Sequence, residues 1–256
     1  MPRHSTATYL YCVVRSTRRP VLARVPAGLP GATAPAAHKV DGTLWLIVAD
    51  VPLDVYGPSE LEPRLRDLDW VSRVALAHEA VVEHFSRSTA TIVIPAKLFT
   101  MFSTIEKAMD DVAGRRAGIE KVMAQIAGCE EWGIRVTRQP VVAADVETRP
   151  ASGSAFLQAK KAARDAVAAA RAQAAEAAER AFHALARHAR DSKQRERRPE
   201  TGTNPPILEA AFLVKERARG KFKTEARRQA GFCGAAGADL TLTGPWPAYN
   251  FIGDPS

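Results

Sequence analysis

The chain has 256 residues, 46% of them hydrophobic, with 36 Lys and Arg against 28 Asp and Glu for a net charge of +8. That content can bury a core for one large or two small domains, and no run approaches the roughly 18 apolar residues of a membrane span. The opening residues lack the charged-then-apolar layout of an export signal, and Cys12, Cys129 and Cys233 are too few and too scattered for a disulfide framework or zinc site. A cytoplasmic protein is the expectation.

Thr8–Val14 and 42–51 read as strands from their Val, Leu, Ile, Tyr and Trp content, joined by a Pro/Gly/Ala loop over 20–35. Residues 60–68 fit a short helix. Asp69 fits the cap of the next one, in which Val74, His78, Val81, Val82 and Phe85 share a face at spacings of three and four. A short strand over 91–94 precedes Pro95. One long helix should then run from a Thr104 cap to Gly128, with Ile105, Met109, Val112, Ile119, Val122 and Ile126 on one stripe.

Residues 131–142 return to strand character, with Pro140 marking an edge or break. A linker over 148–154 leads into the oddest composition in the chain, where alanine fills 17 of the 35 positions from Ala155 to Ala189. The stripe Phe156, Ala159, Ala163, Val167, Ala170, Ala174, Ala178, Phe182 and Leu185 describes a long helix with a shallow apolar face. Charged and turn-rich residues over 191–204 read as mobile. A strand (207–215), a helix (220–230) and a strand (239–243) complete the order, and Gly231 reads as the helix stop.

The tail is the most specific segment. Leu240 and Leu242 alternate with threonines, Gly244-Pro245 should end the pairing, and Pro245 and Pro247 restrict the backbone on both sides of Trp246. Tyr249 and Phe251 follow at spacing two, so three rings lie on a segment with little freedom to lose on docking. Residues Gly244, Pro245, Trp246, Pro247, Tyr249 and Phe251 are therefore expected to form a structural clasp with a buried tryptophan, joining two domains over 1–128 and 129–256, with a partner-binding surface as the alternative.

No catalytic, cofactor-binding or metal constellation emerges. His78 and His84 are six apart, about 120° around a helix, and cannot share a metal as an i, i+4 pair does. His78 sits on the apolar stripe as a structural histidine. The glycines of 231–237 follow a helix and precede a strand, the reverse of a dinucleotide-binding turn. Charge is the remaining signal: residues 129–256 carry 21 basic and 15 acidic side chains, and 155–200 carry 11 and 6. Such a basic helix is either a solvated face or a surface for an acidic protein partner, which it would meet through Phe156, Val167, Phe182 and Leu185. A nucleic-acid-associated protein using this helix, or an enzyme with a dispersed site, are the alternatives. Two phenylalanines for stacking disfavour nucleic acid.

Gly244-Pro245-Trp246-Pro247-Ala248-Tyr249-Asn250-Phe251 resembles the ending of the GvpF/GvpL family of gas vesicle accessory proteins. Tyr9 through Val14, Trp70 through Val82, Glu130 through Val136 and Ala210 through Val214 match further blocks of that family in order. One departure falls at Pro95–Phe102, where Lys97 and Phe99 replace the family's arginine and glycine. The resemblance implies an α+β protein with an N-terminal α+β domain and a C-terminal, modified ferredoxin-like domain carrying inserted helices at about 155–204. It also implies binding to the hydrophobic shell subunit and other gas vesicle accessory proteins, with no enzyme activity, cofactor or membrane.

Overall fold

The computed structural model describes residues 5–88, 90–139, 153–195 and 205–253. They divide into two compact units, one of residues 1–130 with 246–256 and one of residues 131–245. The described residues from Trp246 to Gly253 go with the first unit.

In the first unit, strands β1 (Thr6–Arg15), β2 (Ala36–Asp41) and β3 (Leu44–Pro52) precede helices α1 (Leu53–Tyr56), α2 (Pro58–Arg64) and α3 (Leu68–Ser86). Strands β4 (Ile92–Pro95) and β5 (Met101–Phe102) and helices α4 (Ile105–Gly114) and α5 (Arg116–Ile126) follow. The sheet is antiparallel in the order β2-β3-β1-β4, with β5 also on β1. The central strand β1 is buried on both faces. Ala7, Tyr9 and Tyr11 join a core with α3, whereas Leu10 and Val13 join a second core with α4 and α5.

Strict alternation would send Cys12 and Val14 to the wrong side. A register shift between Leu10 and Cys12 resolves this, since one extra residue inverts the parity and returns Cys12 and Val14 to the face of Tyr9 and Tyr11. The partner strand β3 needs no such device. Its Leu44, Leu46 and Val48 face one core and Ile47, Ala49 and Val51 the other.

Several local expectations are corrected. The cap of α3 is Asp67, whose side chain accepts from the Asp69 and Trp70 amides, so Asp69 lies inside the helix. Trp70, Val74, His78, Val81, Val82 and Phe85 form its buried face. The single long helix breaks at Gly114-Arg115 into α4 and α5, because glycine is a poor helix former and Arg115 leaves helical geometry at φ −98°, ψ 15°. Thr104 does cap α4, accepting from the Lys107 amide at 3.4 Å.

The second unit contains β6 (Cys129–Arg138), α6 (Gly153–Ala186), β7 (Asp191–Gln194), β8 (Leu208–Lys215), α7 (Arg219–Ala235) and β9 (Ala238–Trp246). Its sheet has the order β7-β8-β6-β9. Trp132, Ile134 and Val136 of β6 and Leu208, Ala210, Phe212 and Val214 of β8 alternate onto one face. Against it lie Ala174, Ala177, Ala178, Ala181 and Leu185 of α6 and Phe222, Ala226 and Cys233 of α7. The first residues of the expected mobile segment are the paired strand β7, and residues 196–204 lie outside the described residues, as does the expected linker before 153. Helix α7 continues through Gly231 and Gly234, held by its buried Phe222, Ala226, Gln229 and Cys233. Strand β9 also outlasts its predicted end, running through Gly244-Pro245 to Trp246.

Phe99 takes φ +65°, the left-handed conformation that favours glycine. It is tolerated because its ring stacks on Trp70 at 5.9 Å and its amide donates to the Tyr9 hydroxyl at 3.4 Å. Glycine would adopt this backbone without strain. Comparing Phe99→Gly with Phe99→Ala removes the ring in both cases and isolates the backbone cost. In urea unfolding the glycine variant should be the more stable by about 1 kcal/mol, and an alanine variant of equal or greater stability would refute the strain.

Candidate functional site

The polar centre of the first unit is built by β1 and α3. Tyr9 and Tyr11, on one face of β1, approach edge-on with ring centroids 5.0 Å apart, and the Tyr9 hydroxyl lies 2.8 Å from His78 Nδ1. The Tyr11 hydroxyl accepts from the Leu29 amide at 2.9 Å. Gly28 lies at this contact with φ +81°, and a Cβ there would fall 2.3 Å from the Tyr11 oxygen. The close approach requires glycine. His78 is 3% exposed, and burial pushes its pKa down to about 4, partly offset by the nearby Ala96 backbone, which falls short of hydrogen-bonding geometry. The imidazole is neutral and enclosed.

The chain's final segment closes over this centre. Pro247 and Ala248 are buried, Phe251 is 2% exposed, and Tyr249 to Phe251 form a tight turn instead of the extended run expected. The Tyr249 hydroxyl donates to Glu79 Oε2 at 2.5 Å, and its ring lies 6.5 Å from that of His78. Burial raises the Glu79 pKa, with the Tyr249 hydrogen bond opposing, and burial followed by Glu79 raises that of Tyr249. The expected buried ring, Trp246, is instead 44% exposed. Gly244, in the second unit, has φ +116°, and a Cβ on it would meet the Glu131 carbonyl at 2.8 Å. Pro245, joined to it by a cis peptide, is exposed. The six tail residues therefore do different things.

The expected docking residues also separate. Leu185 is fully buried in the second unit's core, and Phe182, partly buried, packs on that core against Phe212. Phe156 and Val167 are exposed at 53% and 42%. The helix stripe is continuous, but the sheet stops beneath it. The Tyr9-Tyr11-His78-Glu79 centre was missed in the sequence as a site; a histidine on an apolar stripe facing tyrosines at spacing two was its signal. Among the described residues no group of three or more His, Cys, Asp and Glu side chains could hold a metal ion, and no helix is long and apolar enough to cross a membrane.

A family model described as gas vesicle synthesis protein GvpL/GvpF matches residues 7–253. The chain belongs to the gas vesicle GvpL/GvpF family. Gas vesicle protein L of Streptomyces sp. (strain CB03234) is similar to this GvpL/GvpF chain, 29% identical over 260 residues that cover 96% of this chain and 92% of the relative. The crystal structure of gas vesicle protein GvpF from Anabaena sp. PCC7120 shares the fold with a TM-score of 0.68 at 12% identity, over 97% of this chain and 96% of that one. GvpF from Microcystis aeruginosa gives 0.66 at 13% identity, over 96% and 98%.

Two predictions follow from the closed centre of this GvpL/GvpF protein. Phe251→Ala should cost about 3–5 kcal/mol in chemical unfolding and Trp246→Ala about 1–2 kcal/mol, a ranking that equal losses or the reverse order would contradict. His78, with its folded pKa below the ordinary value of about 6.5, stabilises the neutral form, so its contribution is present at neutral pH and is lost as pH falls from about 6.5 towards 4. That contribution is on the order of 3 kcal/mol. Glu79, with its raised pKa, works in the opposite sense, losing stability as pH rises through the carboxylate range. The difference between wild type and His78→Gln cancels the Glu79 contribution. It should shrink as pH is lowered from 7 to 4, whereas a constant difference would mean that the histidine is not held neutral.

Proposed function

We propose that this GvpL/GvpF-family chain is an accessory or minor structural protein of the gas vesicle that binds the hydrophobic shell subunit and other vesicle proteins during assembly. The observation that carries the reading is the family match over residues 7–253, supported by a curated gas vesicle relative that aligns along 96% of the chain. The geometry is in keeping with a binding protein. Its polar groups His78 and Tyr9 are enclosed in a core, while Phe156, Leu157 and Val167 stand exposed along α6.

The two compact units are read as two domains. In the second, the chain order β-α-β-β-α-β with the sheet order β7-β8-β6-β9 supports a modified ferredoxin type, in which α6 is extended far beyond the sheet. The first supplies the separate α+β domain. A shell subunit that is apolar and prone to self-association gains from a partner that covers it until it joins the growing wall, through complementary surfaces and without a covalent step. The protein then works in the cytoplasm and at the vesicle.

A direct test dilutes the shell subunit out of denaturant with and without the full chain and follows light scattering. Stoichiometric chain should suppress scattering and co-elute with the subunit in size exclusion. Scattering that is unchanged by the chain, with no co-elution, would rule out the chaperone-like role.

A further inference from the structure

We infer that the free half of α6 is a docking surface for an acidic amphipathic helix of a partner protein. This inference rests on the assembly reading above and gives one of its partners a chemistry. Helix α6 has two halves of different character. From Ala174 to Leu185 its stripe of Ala174, Ala178, Ala181 and Leu185 is buried against the sheet. Every residue from 156 to 173 is exposed.

At 100° per residue, Phe156, Lys160, Ala163, Val167 and Ala170 fall within roughly 40° of the line through the buried positions. The face that packs on the sheet therefore continues past it for 18 residues, about 27 Å, with its apolar positions uncovered among the described residues. Phe156, Leu157 and Val167 are 53%, 67% and 42% exposed on this stretch. Alanine occupies eight of its 18 positions, which lets a second helix approach closely. Propensity alone would be met by a polar surface, so the apolar stripe asks for a partner.

Charge selects among the occupants. Lys160, Lys161, Arg164 and Arg171 against Asp165 give this half a net charge of 4 − 1 = +3, and none of these four cations is ion-paired among the described residues. At the same 100° spacing Lys161, Arg164 and Arg171 fall on one flank of the stripe with Lys160 at its edge, so two copies laid antiparallel along each other would bring like charges together on that side of the seam, which is destabilising for a second copy of this chain. An acidic helix meets this flank with opposite charge. Nucleic acid would use the cations but leave the apolar stripe without a role, and Phe156 is the single aromatic ring for stacking on this stretch. A helix laid along this one strip buries little area, so the association should be reversible and salt-sensitive.

The test uses the full chain and a synthetic three-heptad peptide with leucine and alanine on one stripe and glutamate on its flanks, read by fluorescence anisotropy. Its control carries lysine for glutamate. The acidic peptide should bind at least tenfold tighter than the basic one, and Phe156→Asp with Val167→Asp should weaken it at least tenfold with an unchanged melt. A charge-reversed variant, Lys160→Glu, Lys161→Glu, Arg164→Glu and Arg171→Glu, should invert the preference and keeps the test open if the aspartates disturb the helix. Equal binding of both peptides, or variants that bind as wild type, would overturn the inference. So would tighter binding to random duplex DNA than to the acidic peptide, or a wild-type dimer in sedimentation that the aspartate variant splits. Co-expression with the shell subunit and accessory proteins separates the two readings: capture by wild type with failure of the peptide arm sinks this inference alone. Peptide binding without capture of any vesicle protein sinks the assembly reading and leaves the docking chemistry standing.

Discussion

The first unit depends on β1 being buried on both faces, and everything around that strand is arranged to satisfy the demand. A central strand with two cores must present apolar side chains in both directions, and the shift after Leu10 lets one short segment serve α3 on one side and α4 and α5 on the other. The cost is polar atoms inside a core. Tyr9 and Tyr11 bring hydroxyls to the α3 side, and these are accommodated by His78, the Leu29 amide and a glycine that leaves room for the contact. The chain's last residues complete the enclosure, with Tyr249 on Glu79 and Phe251 buried. A unit begun by the first strand is thus finished by the final turn.

The second unit solves a different problem with alanine. Small side chains let α6 lie close on a sheet already filled by Trp132, Phe212 and Phe222, so the large volume comes from the strands and α7 and the helix supplies a smooth cover. Alanine also has the highest helix propensity, which allows the same helix to persist where nothing covers it. One composition therefore serves a packed half and a free half.

Much of this was legible in the sequence because periodicity reports burial. The α3 stripe, the first and third strands, and the alanine helix followed from spacing and side-chain type. What escaped were features decided by non-local contacts. Strand β2, with His38, Lys39 and Asp41, looks polar because it is an edge, and β7 looks mobile because its four residues gain order only from pairing with β8. The α7 glycines signal an end that buried Cys233 overrides. In the tail, three rings at similar spacing gave no basis for ranking them; their surroundings bury Phe251 and leave Trp246 partly open. Along α6, Phe182 and Leu185 share the pattern of Phe156 and Val167, and only the extent of the sheet separates core from surface.

Closure of the first unit by the end of the chain is the claim on which this account most depends. Ending the chain after Trp246 removes Pro247, Ala248, Tyr249 and Phe251 and leaves every strand and helix longer than one turn in place. Hydrogen exchange of the truncated protein should show β1 and α3 amides losing protection by at least an order of magnitude while β8 and the second half of α6 keep theirs. Undiminished protection of β1 and α3 would show that the first unit is complete without its final turn, and would contradict the account.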